Sequence, residues 1–281
     1  MPMQVAIDFG LSNTDVITMD TDGNLRTAVV PSRRTLSPRD VVRALDAVGK
    51  QATDFERICV TGGQHRKLPD EIDSVLIHKV SELDAVGQGG LHLARRTHPT
   101  LTSALVVSAG SGTAMIAARG RVCQHVTGSA VGGGTLLGLG RMLIGISDPH
   151  EINALAMRGD ANAVDLTLIE ATGGAIGKLP ADANAVNFGR IASLDTDDLA
   201  RLSHEDIAAG IATLVGQVIA VIAINAAKSE SLDQIVVVGH LVDLPCMRKV
   251  LQAVAGYYGA HILVPDLPGY ATALGAMLAL P

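Results

Sequence analysis

"VAIDFGLSNTDVITM", residues 5–19, carries the reading of the fold. An apolar run ends at Asp8, passes through Gly10 and a small polar stretch, Ser12, Asn13 and Thr14, meets a second acid at Asp15 and turns apolar again. Two β-rich segments, residues 3–8 and 14–20, joined by so short a turn read as antiparallel neighbours. "TDGN" at 21–24 makes a second turn before "LRTAVVP", so the chain opens as a meander. The composition of the first turn needs a reason. Backbone N–H groups and hydroxyls gathered at one point suit the oxygens of a phosphate and require no lysine.

The motif recurs. "LVVSAGSGTAMIAARG", residues 105–120, is again an apolar strand, a turn of glycine with serine and threonine, and a returning strand, followed by "RVCQHVTGS" as a third. A separation of about 100 residues is too long for a solenoid period, so two similar lobes facing each other are expected, residues 1–101 and 102–281. Around these meanders the periodicity predicts a helix at 37–50, capped by Ser37 with Pro38 at its first position, a buried strand at 57–63 and a helix at 82–97. In the second half it predicts a helix at 132–145 preceded by glycines, short helices within 147–178, a long helix at 203–230 that is apolar almost all round and therefore buried, and a closing strand, helix, strand and helix. The expected class is α/β.

Composition excludes several functions. With three Phe, three Tyr and no Trp in 281 residues, there are no aromatic platforms for single-stranded nucleic acid. A net charge of −6 without a polybasic run gives no electrostatic footprint for DNA or RNA. Cys59, Cys123 and Cys246 are scattered and form no CxxC pair, so neither a disulfide framework nor a zinc or iron–sulfur site is indicated. No signal-peptide pattern opens the chain and no stretch of 18 uninterrupted apolar residues occurs, so a cytoplasmic protein without a membrane partner is expected. The 30 glycines are clustered, which suggests close approach of backbone to a ligand.

Three elements therefore point at an anion: the turn at 10–14, the turn at 108–113, and the glycine-rich helix start at 132–135. Asp8 admits two readings. It can hold a Mg²⁺ ion between protein and phosphate, since a bare carboxylate beside phosphates is repulsive, or it can cap the turn as an Asx residue. Asp15 reads as a turn or strand-edge acid.

In this order, "DFGLSNTD" (8–15), "VTGG" (60–63), "SELDAVGQGG" (81–90), "VSAGSGTAM" (107–115), "GSAVGGGTLLGLG" (128–140) and "ANAVNFGRI" (183–191) resemble type II pantothenate kinases, members of the acetate and sugar kinase, Hsc70 and actin superfamily. The resemblance spans nearly the whole chain. It implies two ribonuclease-H-like lobes around a nucleotide cleft, ATP and Mg²⁺ as cosubstrates, phosphorylation of pantothenate to 4'-phosphopantothenate as the first step of coenzyme A biosynthesis, and a homodimer formed through the second lobe. Matched position by position, Glu82 corresponds to the general base and Asp8 to the residue that organises the metal. Ser108, Gly110, Ser111, Gly112 and Thr113 correspond to the second phosphate hairpin. Gly132, Gly133, Gly134 and Thr135 correspond to a helix start near the phosphates, and Gly239, with His240, to the adenosine side. On its own, Glu82 reads equally as an acid favoured by a helix N-terminus.

Two departures stand out. Leu11 and Ser12 replace a glycine and threonine usual in the first hairpin. His125, in "CQHVTGS", stands where the resemblance leads one to expect an arginine that holds the substrate and the transferring phosphate. An Arg fork is permanently charged and bidentate, whereas His makes one bond at a time, so the acceptor can differ: another hydroxy acid or sugar-like metabolite is the nearest alternative to pantothenate. A nucleotide-binding ATPase or sensor without kinase activity is the alternative of a different class.

Overall fold

A computed structural model describes residues 3–279. The opening meander forms as its turns dictate: β1 (Gln4–Phe9) pairs antiparallel with β2 (Asn13–Met19), and β2 with β3 (Leu25–Pro31). Helix α1 (Pro38–Asp46) begins at Ser37, whose backbone N–H and hydroxyl both donate to the carboxylate of Asp40. The chain returns as β4 (Arg57–Gly62), parallel to β1, and after a two-residue edge strand β5 (Glu71–Ile72) adds β6 (Val75–Lys79) parallel to β4. The first sheet thus has the order β3-β2-β1-β4-β6-β5, and α2 (Glu82–Arg95) leaves it.

The second lobe repeats the plan. A meander of β7 (Ser103–Ala109), β8 (Thr113–Arg119) and β9 (Val122–Ser129) is followed by an insertion. It holds α3 (Gly133–Ile144), α4 (Pro149–Ala156), β10 (Leu166–Thr167), α5 (Leu168–Thr172), β11 (Asn184–Val186) and α6 (Thr196–Arg201). Then come α7 (His204–Ser229), β12 (Gln234–Val238), α8 (Pro245–Tyr258), β13 (His261–Leu263) and α9 (Ala271–Leu278). β12 runs parallel to β7 and β13 parallel to β12, so β13-β12-β7-β8-β9 reproduces β6-β4-β1-β2-β3 strand for strand. Two lobes of one topology are what the repeated meander leads one to expect, and the ribonuclease-H-like pairing is what the resemblance implies. The hairpin β10-β11 has no counterpart among the sequence expectations. It closes over Asp165, a fully buried carboxylate that accepts from Asn184 Nδ2 and from the N–H of Phe188, and that burial pushes up to about 6.

Three cores follow from strand alternation. Val5, Ile7 and Phe9 face α1, and Leu105, Val107 and Ala109 face α7 and its neighbours. The opposite residues, Ala6 in β1 and Ala104 and Val106 in β7, share a third cluster with α2 and α9. These two helices are exchanged: α2 leaves the first sheet yet packs on the second, while α9 ends the chain against β1 and β4. They cross backbone to backbone, since a Cβ on Gly89 would stand 1.8 Å from the Ala271 carbonyl oxygen and one on Gly275 equally close, at 1.8 Å, to that of Ala85. Helix α7 is long and apolar enough to cross a membrane by composition, with a mean hydropathy of 2.4, but its apolar surface is taken by the second sheet, α4 and α8.

Candidate active site

The same alternation aims the site. Asp8 follows Ala6 onto the inner face of the first sheet, and Ser108 follows Val106 onto that of the second, so the two are related by the internal symmetry. The strands then enter their hairpins, and the tips meet: Ser12 Oγ lies 2.8 Å from Ser111 Oγ, 99 residues away. Leu11, at the first tip, is 85% exposed and takes no part in this contact.

Glycines close the floor. Gly62 and Gly239, ending β4 and β12, adopt φ of +95° and +101° and press on the ends of β1 and β7. A Cβ on Gly62 would stand 2.5 Å from Phe9 O and 2.7 Å from Asp8 Oδ1, and one on Gly239 would stand 2.4 Å from Ala109 O. The second hairpin is braced from behind by the start of α3: Gly133 N–H donates to Gly110 O at 2.8 Å and Gly134 N–H to Ser111 O at 2.9 Å. A Cβ on Gly132 would stand 2.8 Å from Gly112 Cα. Thr135 Oγ1 accepts from Gly132 N–H at 3.3 Å.

Not every hydroxyl of the turns faces the cleft. Thr14 and Thr113 are equivalent in the two hairpins, and strand alternation turns both outward into the sheets. Thr113 donates to Val131 O at 2.8 Å, and Thr14 pairs at 3.0 Å with Ser32 Oγ, which itself donates to Gly10 O at 2.7 Å. These threonines hold the hairpins in shape. Likewise the N–H groups of Gly133 and Gly134 are committed to the hairpin they support and that of Gly110 to Gly112 O at 3.0 Å, leaving Ser12, Ser111 and the turn backbone at Gly10, Asn13 and Gly112 at the meeting of the lobes.

Asp8 is the conspicuous group. Its Oδ1 is buried and bonds to nothing, so the capping alternative has no hydrogen bond behind it. Burial, then the charges of Asp15 and Glu82, push its carboxyl up to about 8, against a smaller opposing pull from His240. Thr61, its in-register neighbour on β4, also has a buried hydroxyl without a partner. An unpartnered carboxylate oxygen whose ionised form is penalised is what a divalent cation would satisfy, with phosphate oxygens and water completing the shell. Among the described residues no three His, Cys, Asp or Glu side chains form a ready-made cage, so Asp8 would be the protein's anchor for Mg²⁺.

Around Asp8, two further acids differ in setting. Glu82 is the first residue of α2, exposed, and near enough for its charge to act on Asp8. Asp15 is not an edge acid: it lies opposite Asp8 in the β1-β2 ladder, is 5% exposed, and its Oδ1 is 2.8 Å from His240 Nε2. His240 Nδ1 is 2.8 Å from Asp243 Oδ2, so both ring nitrogens are taken and neither is left for an adenosine. Burial pulls His240 down, but the hydrogen bonds and charges of Asp15 and Asp243 outweigh it and push the imidazole up to about 10. His125 stands apart on β9, exposed, beside a bulge at which Val126 has no partner between the pairs Met115–Thr127 and Ile116–His125. The sequence reading missed the pairing of Asp15 with Asp8, which the β1-β2 register shows; the short turn between the two strands is the signal that could have found it, and the paired glycines of "VTGG" mark the backbone under it. Nothing in the sequence marks His240 as the partner of Asp15.

Comparison with known proteins agrees with this geometry. The family model described as Fumble matches residues 12–279. The type II pantothenate kinase of Staphylococcus aureus (strain USA300) is 26% identical over 278 residues, covering 98% of each chain, and that of Bacillus anthracis is 26% identical over 231 residues, covering 82% of each. Among solved structures, the activator of the 2-hydroxyisocaproyl-CoA dehydratase from Clostridium difficile with bound ADPNP aligns with a TM-score of 0.66 at 17% identity, over 98% of this chain and 93% of its own. A ROK family glucokinase from Streptomyces griseus in complex with glucose and AMPPNP aligns at 0.56 and 14% identity, over 98% of both chains. At such identities these structures speak to the fold, which is that of the actin-like ATPases.

Proposed function

Because this chain belongs to the Fumble family, the type II pantothenate kinases, we propose that it transfers the γ-phosphoryl group of ATP to the primary hydroxyl of pantothenate, giving 4'-phosphopantothenate and ADP. The observation that carries the proposal is the buried, unpartnered Oδ1 of Asp8, near the end of β1 where the chain enters the hairpin that meets the second.

The residues divide the work by position. Ser12 and Ser111, with the turn N–H groups around Gly10, Asn13 and Gly112, hold phosphate oxygens from both lobes, in a turn that the Gly110 N–H closes by donating to Gly112 O at 3.0 Å. Ser108 and Gly239 line the same floor at the ends of β7 and β12. Asp8 would hold Mg²⁺, whose charge offsets that building on the phosphates during transfer. Glu82 accepts the proton of the attacking hydroxyl; it is exposed, its charge acts on Asp8, and it makes no ion pair among the described residues. His125 is assigned by the resemblance to the acceptor side, as a single hydrogen-bonding group where an arginine is usual. Its exposure beside the bulge favours one second reading, a kinase of another small hydroxy acid. A homodimer through the second lobe accords with the apolar surface on α3, where Met142 is 71% and Leu143 43% exposed, and the cytoplasm is the setting this reading implies.

Acceptor-dependent ADP release from MgATP tests the proposal, with pantothenate compared against a panel of hydroxy acids and sugars. Pantothenate should drive turnover, and Glu82→Gln should lower kcat by about 100-fold or more with little change in nucleotide affinity. Turnover with another hydroxy acid alone would move the assignment to that substrate. No acceptor-dependent turnover despite ADP binding would reject it.

A further inference from the structure

We propose that Asp15 and His240 form a positioning pair that fixes the two phosphate hairpins relative to each other across the cleft, an assignment that rests on the phosphotransfer reading above. They come from different lobes, 225 residues apart, and meet at 2.8 Å with Asp15 buried. The other direct link between the hairpins, Ser12 to Ser111, is a pair of exposed hydroxyls that water can replace. Asp15 faces Asp8 rung for rung in the antiparallel ladder, so whatever holds Asp15 also holds the carboxylate proposed to anchor the metal. On the other side, His240 follows Gly239, whose backbone touches the end of β7 where the second hairpin begins.

The imidazole is clamped in its own lobe. Asp243 takes Nδ1, and Tyr270 meets the ring edge-on with centroids 5.6 Å apart. Gly269 lies so close that a Cβ there would stand 2.3 Å from His240 Nδ1 and Cε1. A ring held on three sides, with its remaining nitrogen on a buried carboxylate of the opposite lobe, acts as a strut. A nucleotide whose phosphates are gripped by both hairpins needs that spacing set before it binds, and preorganisation of this kind appears as affinity and rate.

The test is a double-mutant cycle read by calorimetric binding of Mg·ADP, with Asp15→Ala, His240→Ala and the double variant, and thermal melting of each. Each single change should weaken binding by about tenfold, and the double should be no weaker than the worse single, because either change alone removes the strut. Asp15→Asn keeps an acceptor for Nε2 and should bind within about threefold of wild type, a rescue that loss of general stability would not give. Pantothenate turnover, where present, should fall in kcat with its KM nearly unchanged. If an alanine variant does not fold, Asp15→Val and His240→Phe, which keep strand propensity and ring shape but cannot make the 2.8 Å bond, complete the cycle. Wild-type affinity in folded single variants, or losses that multiply in the double, would overturn the proposal. Since binding is the readout, a wild-type protein that binds Mg·ADP but turns over no acceptor would sink the kinase assignment and leave the strut to be judged on the cycle alone.

Discussion

At the scale of single residues, the cost of function is concentrated in Asp8. A carboxyl buried without a partner and set beside a second acid weakens the fold in the absence of a cation. Asp8→Asn keeps the shape and removes the charge, so it should raise the metal-free stability by about 1–2 kcal/mol near pH 8.5 in urea titrations while abolishing Mg²⁺-dependent turnover. A destabilised Asn variant would mean that Asp8 has a partner in the free protein. Much of this was legible in the sequence, because an acid ending an apolar strand before a hydroxyl-rich turn has few other uses. The threonines were not. Thr14 and Thr113 share the composition of the phosphate turns, but strand parity turns them away from the cleft, and parity near a turn depends on loop length: four residues separate Phe9 from Thr14, against three between Ala109 and Thr113.

At the scale of elements, the lobes are joined by two helices that exchange sheets, and their crossing depends on the absence of side chains. Gly89 and Gly275 each place a backbone where a methyl group would meet a carbonyl oxygen of the opposite helix at 1.8 Å. Gly275→Ala should therefore cost about 2–4 kcal/mol in denaturant unfolding, the range of a severe overpacking, and Gly89→Ala a similar amount. Gly138, exposed on α3 with open space around its Cα, supplies the contrast: Gly138→Ala should stabilise by about 0.5–1 kcal/mol through helix propensity alone. Equal effects at the three sites would show that the helices do not cross this closely. The helices themselves were plain from periodicity: α2, α3 and α7 end within two residues of their expected limits, while α1 stops at Asp46, four residues before the expected 50. Their exchange between sheets was not, because a sequence shows which face of a helix is apolar and says nothing of which sheet will cover it.

At the scale of the whole molecule, the internal repeat made the two-lobed fold readable, since two strand–turn–strand units a hundred or so residues apart demand two sheets with one topology. The link between Asp15 and His240 was hidden for the converse reason: it joins positions that the repeat does not relate, and only the docking of one lobe on the other brings them together. That link and Asp8 together set how stability responds to pH. Asp8 is raised from 3.8 to about 8, so the fold prefers it neutral; the cost of ionising it is absent below about 4 and fully felt above 8. His240 is raised from 6.5 to about 10, so its contribution is fully present below 6.5 and lost as pH climbs through 10. Both groups therefore make the metal-free protein lose stability as pH rises, and their windows overlap between 6.5 and 8. Its melting temperature should fall by roughly several degrees from pH 6.5 to 9, most steeply across that overlap. Asp8→Asn should remove the part of the slope below pH 8 and leave the part that belongs to His240, while Mg·ADP should flatten the wild-type profile and be taken up with release of a proton, detectable by calorimetry in buffers of different ionisation enthalpy. A profile that rises with pH over this range would mean that Asp8 is already ionised and paired in the free protein, and the case for a cation at the junction of the hairpins would go with it.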